Sequence, residues 1–166
     1  DQKYGEKYLR ELIKYHISGQ LKIAPEHTEN NVLEKMGKPD QGYLKRFRDK
    51  FLHINKEQKK KQFLTYYLIA AHSGCREEDM YRLKEYTSKE LKLNPEQVQI
   101  FTPTPSTYST LMYYTERDPF TGKAIYAEIN SNFLLPTIFA HTSFPLLKIF
   151  DYYYYFQFVI FIKKYA

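Results

Sequence analysis

Three short clusters in this 166-residue chain combine residue types that can do chemistry: Pro25-Glu26-His27, His72-Ser73-Gly74-Cys75 and Thr102-Pro103-Thr104-Pro105. The Glu26 carboxylate is an acceptor with two oxygens, suited to the vicinal hydroxyls of a ribose or to an ammonium group. Its position just before Thr28 is equally explained as an acid that favours a helix N-terminus. His72 can donate, accept or transfer a proton, but it and His27 also fit as capping or packing residues. Gly74 lets a ligand approach the backbone closely. Cys75 near a helix start can have a lowered pKa, or it can be an ordinary buried thiol. The Thr-Pro loop exposes backbone groups able to read an adenine edge, and it also reads simply as a stiff loop.

Each cluster follows a run of strand length. Residues 21–24 are a short strand that Pro25 should end, because proline cannot donate to a ladder. Residues 62–71 are almost continuously apolar, as expected for a parallel strand covered on both faces. Residues 98–101 form a third strand, after Pro95. Between these runs the spacing predicts helices. One covers 6–15, with Tyr8, Leu9, Leu12 and Ile13 on a single face, and Gly19 breaks it. A second carries Val32, Leu33 and Met36, with Thr28 as N-cap and with Gly37 and Pro39 as its stop. A third places Tyr43, Leu44, Phe47, Phe51, Leu52 and Ile54 at helical spacing. A fourth runs over 77–91, with Met80, Leu83, Tyr86 and Leu91 buried and with Glu77, Glu78 and Asp79 in its first turn. This alternation implies βαβ units and a parallel α/β sheet with right-handed crossovers. In such sheets ligands bind beyond the carboxyl ends of the strands, where all three clusters fall. No internal repeat is evident.

The formal charge of +6 is dispersed apart from Lys59-Lys60-Lys61. It gives no strong nucleic-acid signal, since a short lysine run is usually a solvated helix end. A single cysteine makes neither a disulfide nor, alone, a zinc or iron–sulfur site. The first residues have no apolar core, so they do not read as a signal peptide, and a cytoplasmic location is expected. They read as a cut made upstream of a helix.

Several runs resemble one family in order and spacing. They are Gly19-Gln-Leu-Lys-Ile-Ala-Pro-Glu-His27, Val32-Leu-Glu-Lys-Met-Gly-Lys-Pro39, Tyr67-Leu-Ile-Ala-Ala-His-Ser-Gly-Cys75, Gln97-Val-Gln-Ile-Phe-Thr-Pro-Thr-Pro105, Met112-Tyr-Tyr-Thr115 and Asp118-Pro-Phe120. Together they are similar to the YgiQ-type radical SAM proteins, from about Tyr8 to Glu128. The resemblance implies a partial TIM-type barrel binding S-adenosylmethionine (SAM) and a [4Fe–4S] cluster that cleaves it to a 5′-deoxyadenosyl radical. It implies that Ala24, Glu26 and His27 meet the ribose and methionine, that His72 and Ser73 lie at the next strand end, and that Thr102 and Pro103 lie near the adenine. The family's Cys-x3-Cys-x2-Cys loop is absent, and Cys75 is not part of it. Residues 1–128 are therefore expected to be the later portion of a barrel, with no metal ligands of its own. The missing partner is the parent's N-terminal half, and the chain is expected to be inactive alone.

The resemblance stops near Glu128. Residues 129–166 are apolar and aromatic, with Lys148, Asp151, Lys163 and Lys164 as their formal charges. Pro136, Pro145 and Asp151 interrupt them, so no stretch reaches the roughly 20 residues of a spanning helix. Association with a membrane is not expected. Residues 152–162 resemble an aggregation-prone strand, and the tail is read as out-of-frame or read-through sequence. Two other functions compete with the radical SAM fragment. One is a stand-alone α/β module that binds a nucleotide-like ligand or a partner without catalysis. The other is a basic nucleic-acid-binding domain.

Overall fold

The computed structural model of the chain describes residues 4–92 and 98–128. The expectations for Pro95 and for residues 129–166 lie outside the described residues.

The first helix, α1 (Gly5–Glu11), passes into a π-helical turn, Leu12–His16. Leu9, Ile13 and Ile17 are buried at steps of four, while Tyr8 is exposed rather than on the buried face. One residue is about a 100° rotation around a helix, enough to move Tyr8 off a narrow stripe.

Strand β1 (Gln20–Glu26) runs on through Pro25 instead of ending there. Its register against β2 slips between Ile23 and Glu26. Pro25 falls within that irregularity, where the ladder is already interrupted and a residue without an N–H breaks no regular bond to β2.

Helix α2 (Asn30–Lys35) follows Glu29, which provides no side-chain cap. Thr28 is buried and is not the N-cap expected from its type. The helix ends as predicted. Gly37 has φ +66°, its N–H donates to the Glu34 carbonyl, and the Lys38 N–H donates to the Leu33 carbonyl. This is the reciprocal C-terminal bonding that a left-handed glycine permits.

Helix α3 (Gln41–Glu57) starts at Asp40, whose carboxylate accepts the Gly42 N–H at 2.8 Å. It buries Phe51, Ile54 and Asn55, while Tyr43 and Leu52 of the expected stripe are exposed. Asn55 accepts the Gln62 N–H, and the Gln62 amide donates to the carbonyls of Ile13 at 2.8 Å and Ile17 at 2.6 Å. Two buried polar side chains thus tie the first helix, α3 and the start of β2 together. Each satisfies backbone groups that would be costly to bury unpaired.

Strand β2 (Phe63–Ala70) alternates in burial. Leu64, Tyr66, Leu68 and Ala70 are buried, while Thr65, Tyr67 and Ile69 are half-buried and Phe63 is exposed. The expectation of cover on both faces is therefore corrected: one face is fully packed and the other partly. Helix α4 (Glu77–Tyr86) continues as a π-helical turn, Thr87–Leu91. Strand β3 (Val98–Ile100) pairs with β2. Helix α5 (Tyr108–Thr115), not anticipated from its weak periodicity, begins at Thr107, whose hydroxyl accepts the Thr110 N–H. After it, residues 116–126 fold back on themselves through an antiparallel bridge between Arg117 and Ala124.

The sheet has the order β1-β2-β3, and both pairs are parallel. Among the described residues it is a mixed α/β arrangement that does not close into a barrel. No described helix is long and apolar enough to cross a membrane.

Candidate functional site

The parallel register brings the carboxyl ends of β1, β2 and β3 to one edge of the sheet. Two of these ends share a backbone device. Glu26 (φ +68°) and Ala71 (φ +58°) are both left-handed. For residues with a Cβ, that conformation costs about 1–2 kcal/mol each. Each is followed by a buried histidine and then by a buried hydroxyl residue: His27-Thr28 after the first, His72-Ser73 after the second. Among the described residues the Thr28 and Ser73 hydroxyls have no hydrogen-bond partner. Thr28 was missed as a candidate. The signal was the parallel between the pairs His-Thr and His-Ser, each following a strand.

Both histidines are occupied by the protein. The His27 Nδ1 accepts the Glu29 N–H at 3.0 Å, which puts its proton on Nε2, facing the Cys75 Sγ at 3.6 Å. Burial pushes the His27 pKa down to about 4, against the pull of the Asp79 carboxylate. The His72 Nδ1 lies 2.8 Å from the Ser73 carbonyl, so it donates; Nε2, 2.9 Å from Ser109 Oγ, accepts that hydroxyl. Burial lowers the His72 pKa as well. Both imidazoles are therefore neutral near pH 7 and serve as hydrogen-bonding struts. His72 also meets the Phe101 ring edge-on at 4.8 Å, which ties β2 to the start of the Thr-Pro loop.

Cys75 is fully buried, and its thiol is pushed up to about 12 by burial and by the nearby Asp79 carboxylate. Of its two expected states it is the inert one. Asp79 is buried at the start of α4, where it accepts the Arg76 N–H at 2.8 Å, Arg82 at 2.6 Å and the Asn31 amide at 3.2 Å. Arg82 also pairs with Glu29.

Gly74 (φ +88°) does provide a close approach, but the neighbour is the protein itself. A Cβ there would meet the Lys35 side chain at 3.1 Å and Ile125 at 3.5 Å. Its N–H donates to the Tyr126 carbonyl at 2.6 Å. Lys35 in turn pairs with Asp118 at 2.7 Å. The Lys35 ammonium and the N–H groups of Phe120 and Thr121 hold the Asp118 carboxyl down at about 2. The 116–126 segment is thus fastened over the turn that follows β2.

Glu26 is partly exposed, and its carboxylate lies 3.1 Å from Lys38 Nζ. The same ammonium reaches the Ala24 carbonyl at 3.3 Å. Thr102 is exposed, with its hydroxyl at 3.4 Å from the Ile100 carbonyl, and Pro103 is half-buried. Beyond them the loop pins itself, since Thr107 and Thr110 both donate to the Thr104 carbonyl. Of the seven expected site residues, Ala24, Glu26, Thr102 and Pro103 are accessible to some degree, while His27, His72 and Ser73 are buried. An apolar cleft of about 290 Å³ lies between β1 and α3, lined by Ile23, Pro25, Leu33, Tyr43, Leu44 and Phe47 among others. It touches Ala24 and His27 but not the ends of β2 and β3, so it is beside the convergence of strand ends rather than at it. Among the described residues, no three of His, Cys, Asp and Glu gather closely enough to hold a metal ion.

Residues 96–130, the span of β3, the Thr-Pro loop, α5 and the folded-back segment, match a family described as a domain of unknown function (DUF3362). The chain is 64% identical over 128 residues to a UPF0313 protein of Fusobacterium nucleatum, an alignment covering 77% of this chain and 22% of that protein. It is 48% identical over 121 residues to a UPF0313 protein of Clostridium perfringens, covering 73% and 18% of the two. With a UPF0313 protein of Methanosarcina acetivorans it shares 50% identity over 121 residues, covering 73% and 16%. No solved structure matches. The chain spans about a fifth of the length of the curated relatives it matches, and over three-quarters of its own length it is homologous to that one part of the UPF0313 proteins.

Proposed function

We propose that this chain is one wall of a SAM site, the later portion of a radical SAM barrel whose remaining strands and cluster ligands belong to the rest of the longer protein. The observation that carries this reading is the convergence, at one edge of a parallel sheet, of the Glu26 carboxylate and the exposed Thr102-Pro103 loop, with the Ser73 hydroxyl buried and, among the described residues, unpartnered just beyond β2. The resemblance of the same strand ends to the YgiQ-type family supports it.

The donor set fits the two candidate cofactors differently. For SAM, Glu26 has acceptor capacity for the ribose hydroxyls, and Ala24 and Thr102-Pro103 offer small backbone-lined surfaces. His27 and His72 act behind these residues by holding the strand ends. A [4Fe–4S] cluster does not fit. It needs several thiolates, and this chain has one cysteine, buried and protonated. When bound beside such a cluster in the longer protein, SAM would supply one-electron radical chemistry. This chain's residues bind and orient the nucleoside.

Titration of the purified chain with SAM, followed residue by residue by NMR, tests the proposal. Saturable shifts are expected around Glu26, Ser73 and Thr102, and Glu26→Ala should weaken binding by about tenfold, the worth of a charge-assisted hydrogen bond. Shifts that never saturate, or an unaltered affinity in the variant, would refute it.

A further inference from the structure

We infer that Lys38 is the positioning residue that makes Glu26 a reader of a neutral vicinal diol rather than of a cationic group. The inference rests on the reading that Glu26 faces the ribose.

It begins with the way α2 ends. The two C-terminal hydrogen bonds at Gly37 and Lys38 fix the Lys38 backbone, and Pro39 directly after it cannot continue the helix. From that anchored point the ammonium lies 3.1 Å from Glu26 Oε1 and 3.3 Å from the Ala24 carbonyl. Its two contacts straddle Pro25. There β1 is least able to hold itself, because the register slips between Ile23 and Glu26 and Pro25 has no N–H to give. Glu26 itself is left-handed, a conformation that persists only where the surroundings enforce it. Lys38 is the side chain that grips both sides of the irregularity.

The same contact sets specificity. A carboxylate has about four lone-pair sites on two oxygens, so one ammonium leaves capacity for a pair of hydroxyls. A second ammonium at Glu26 would lie near the first and be repelled by it, whereas a diol carries no charge. Of the two ligand groups that Glu26 alone could take, the Lys38 pair favours the diol.

The test compares SAM with its 2′,3′-dideoxyribose analogue, which lacks both hydroxyls of the diol, on the full chain, by NMR titration, for the wild type, Lys38→Met and Lys38→Arg. The wild type should prefer SAM by about tenfold. Lys38→Met should bring SAM down to the affinity of the analogue while leaving the analogue unchanged, which also shows that the variant is folded. Lys38→Arg should keep most of the preference. A Lys38→Met protein that retains the wild-type ratio, or that loses affinity for both ligands alike, overturns the role of Lys38 and leaves the SAM reading standing. A wild type that fails to bind SAM, or binds both ligands equally, removes the ribose placement and the inference with it.

Discussion

His27 and His72 occupy equivalent places on neighbouring strands, and both are spent on holding the backbone. A histidine that must stay neutral in the folded state carries a signature in pH. The folded pKa of His27 is about 4, below its ordinary value of 6.5, so the unfolded chain binds more protons between those limits. Stability is therefore complete above pH 6.5 and is lost progressively as pH falls towards 4. The loss attributable to His27 is about 3 kcal/mol. His72, also lowered by burial, adds to the slope in the same direction. Urea unfolding across this range should show the decline, and His27→Gln should flatten it in part. An equally steep dependence in the variant would mean that His27 is not the buried neutral group described.

At the scale of elements, helix α2 is short, and its end does more for the site than its length suggests. Gly37 needs its left-handed backbone, and a Cβ added there meets nothing within 4 Å. The cost of Gly37→Ala is therefore strain alone, about 1 kcal/mol. Because the same turn aims Lys38, the substitution should also loosen the end of β1. Urea unfolding gives the first effect, and amide exchange at Glu26 and His27 the second. A neutral substitution would contradict the turn. The contrast with Gly74 is instructive. Both glycines are left-handed, but Gly74 has Lys35 and Ile125 against it, so a side chain there meets strain and collision together.

For the described molecule as a whole, the Lys35–Asp118 pair is the longest-range polar link at the site, joining the end of α2 to the segment beyond α5. The Asp118 carboxyl titrates at about 2, below its ordinary value of 3.8. Its contribution is present above pH 3.8 and disappears as pH falls towards 2. The Gly74 N–H, donated to the Tyr126 carbonyl, reports whether residues 116–126 are seated. Lys35→Met should speed hydrogen exchange at Gly74 several-fold near neutral pH while leaving the β2 amides unchanged. Uniform acceleration through β2 would instead mean that this pair supports the whole sheet.

The order of strands and helices as far as β3, the parallel sheet and the shared edge of the three polar clusters were legible in the sequence, whereas α5 was not. Period, proline and glycine are local signals, and crossover handedness leaves few arrangements. The Gly37 stop was legible for the same reason. The Thr28 cap and the end of β1 at Pro25 were not. A register slip tolerates proline, and the slip is a property of the pairing with β2 rather than of residues 20–26 alone. The fate of the histidines was also beyond sequence. A histidine in a strand-end turn has the same local pattern whether its ring faces a ligand or a carbonyl. That choice depends on Ser109, 37 residues from His72, and on Cys75, 48 residues from His27. Lys38 followed the same rule. Its helix-ending neighbours were visible locally, but its reach to Glu26 and the Ala24 carbonyl depends on how the chain folds back between β1 and Lys38. Sequence by itself determined which residues could do chemistry and at which edge they meet. Tertiary structure decided which of them the protein keeps for itself, because partners distant in the chain consume the same hydrogen-bonding groups a ligand would need.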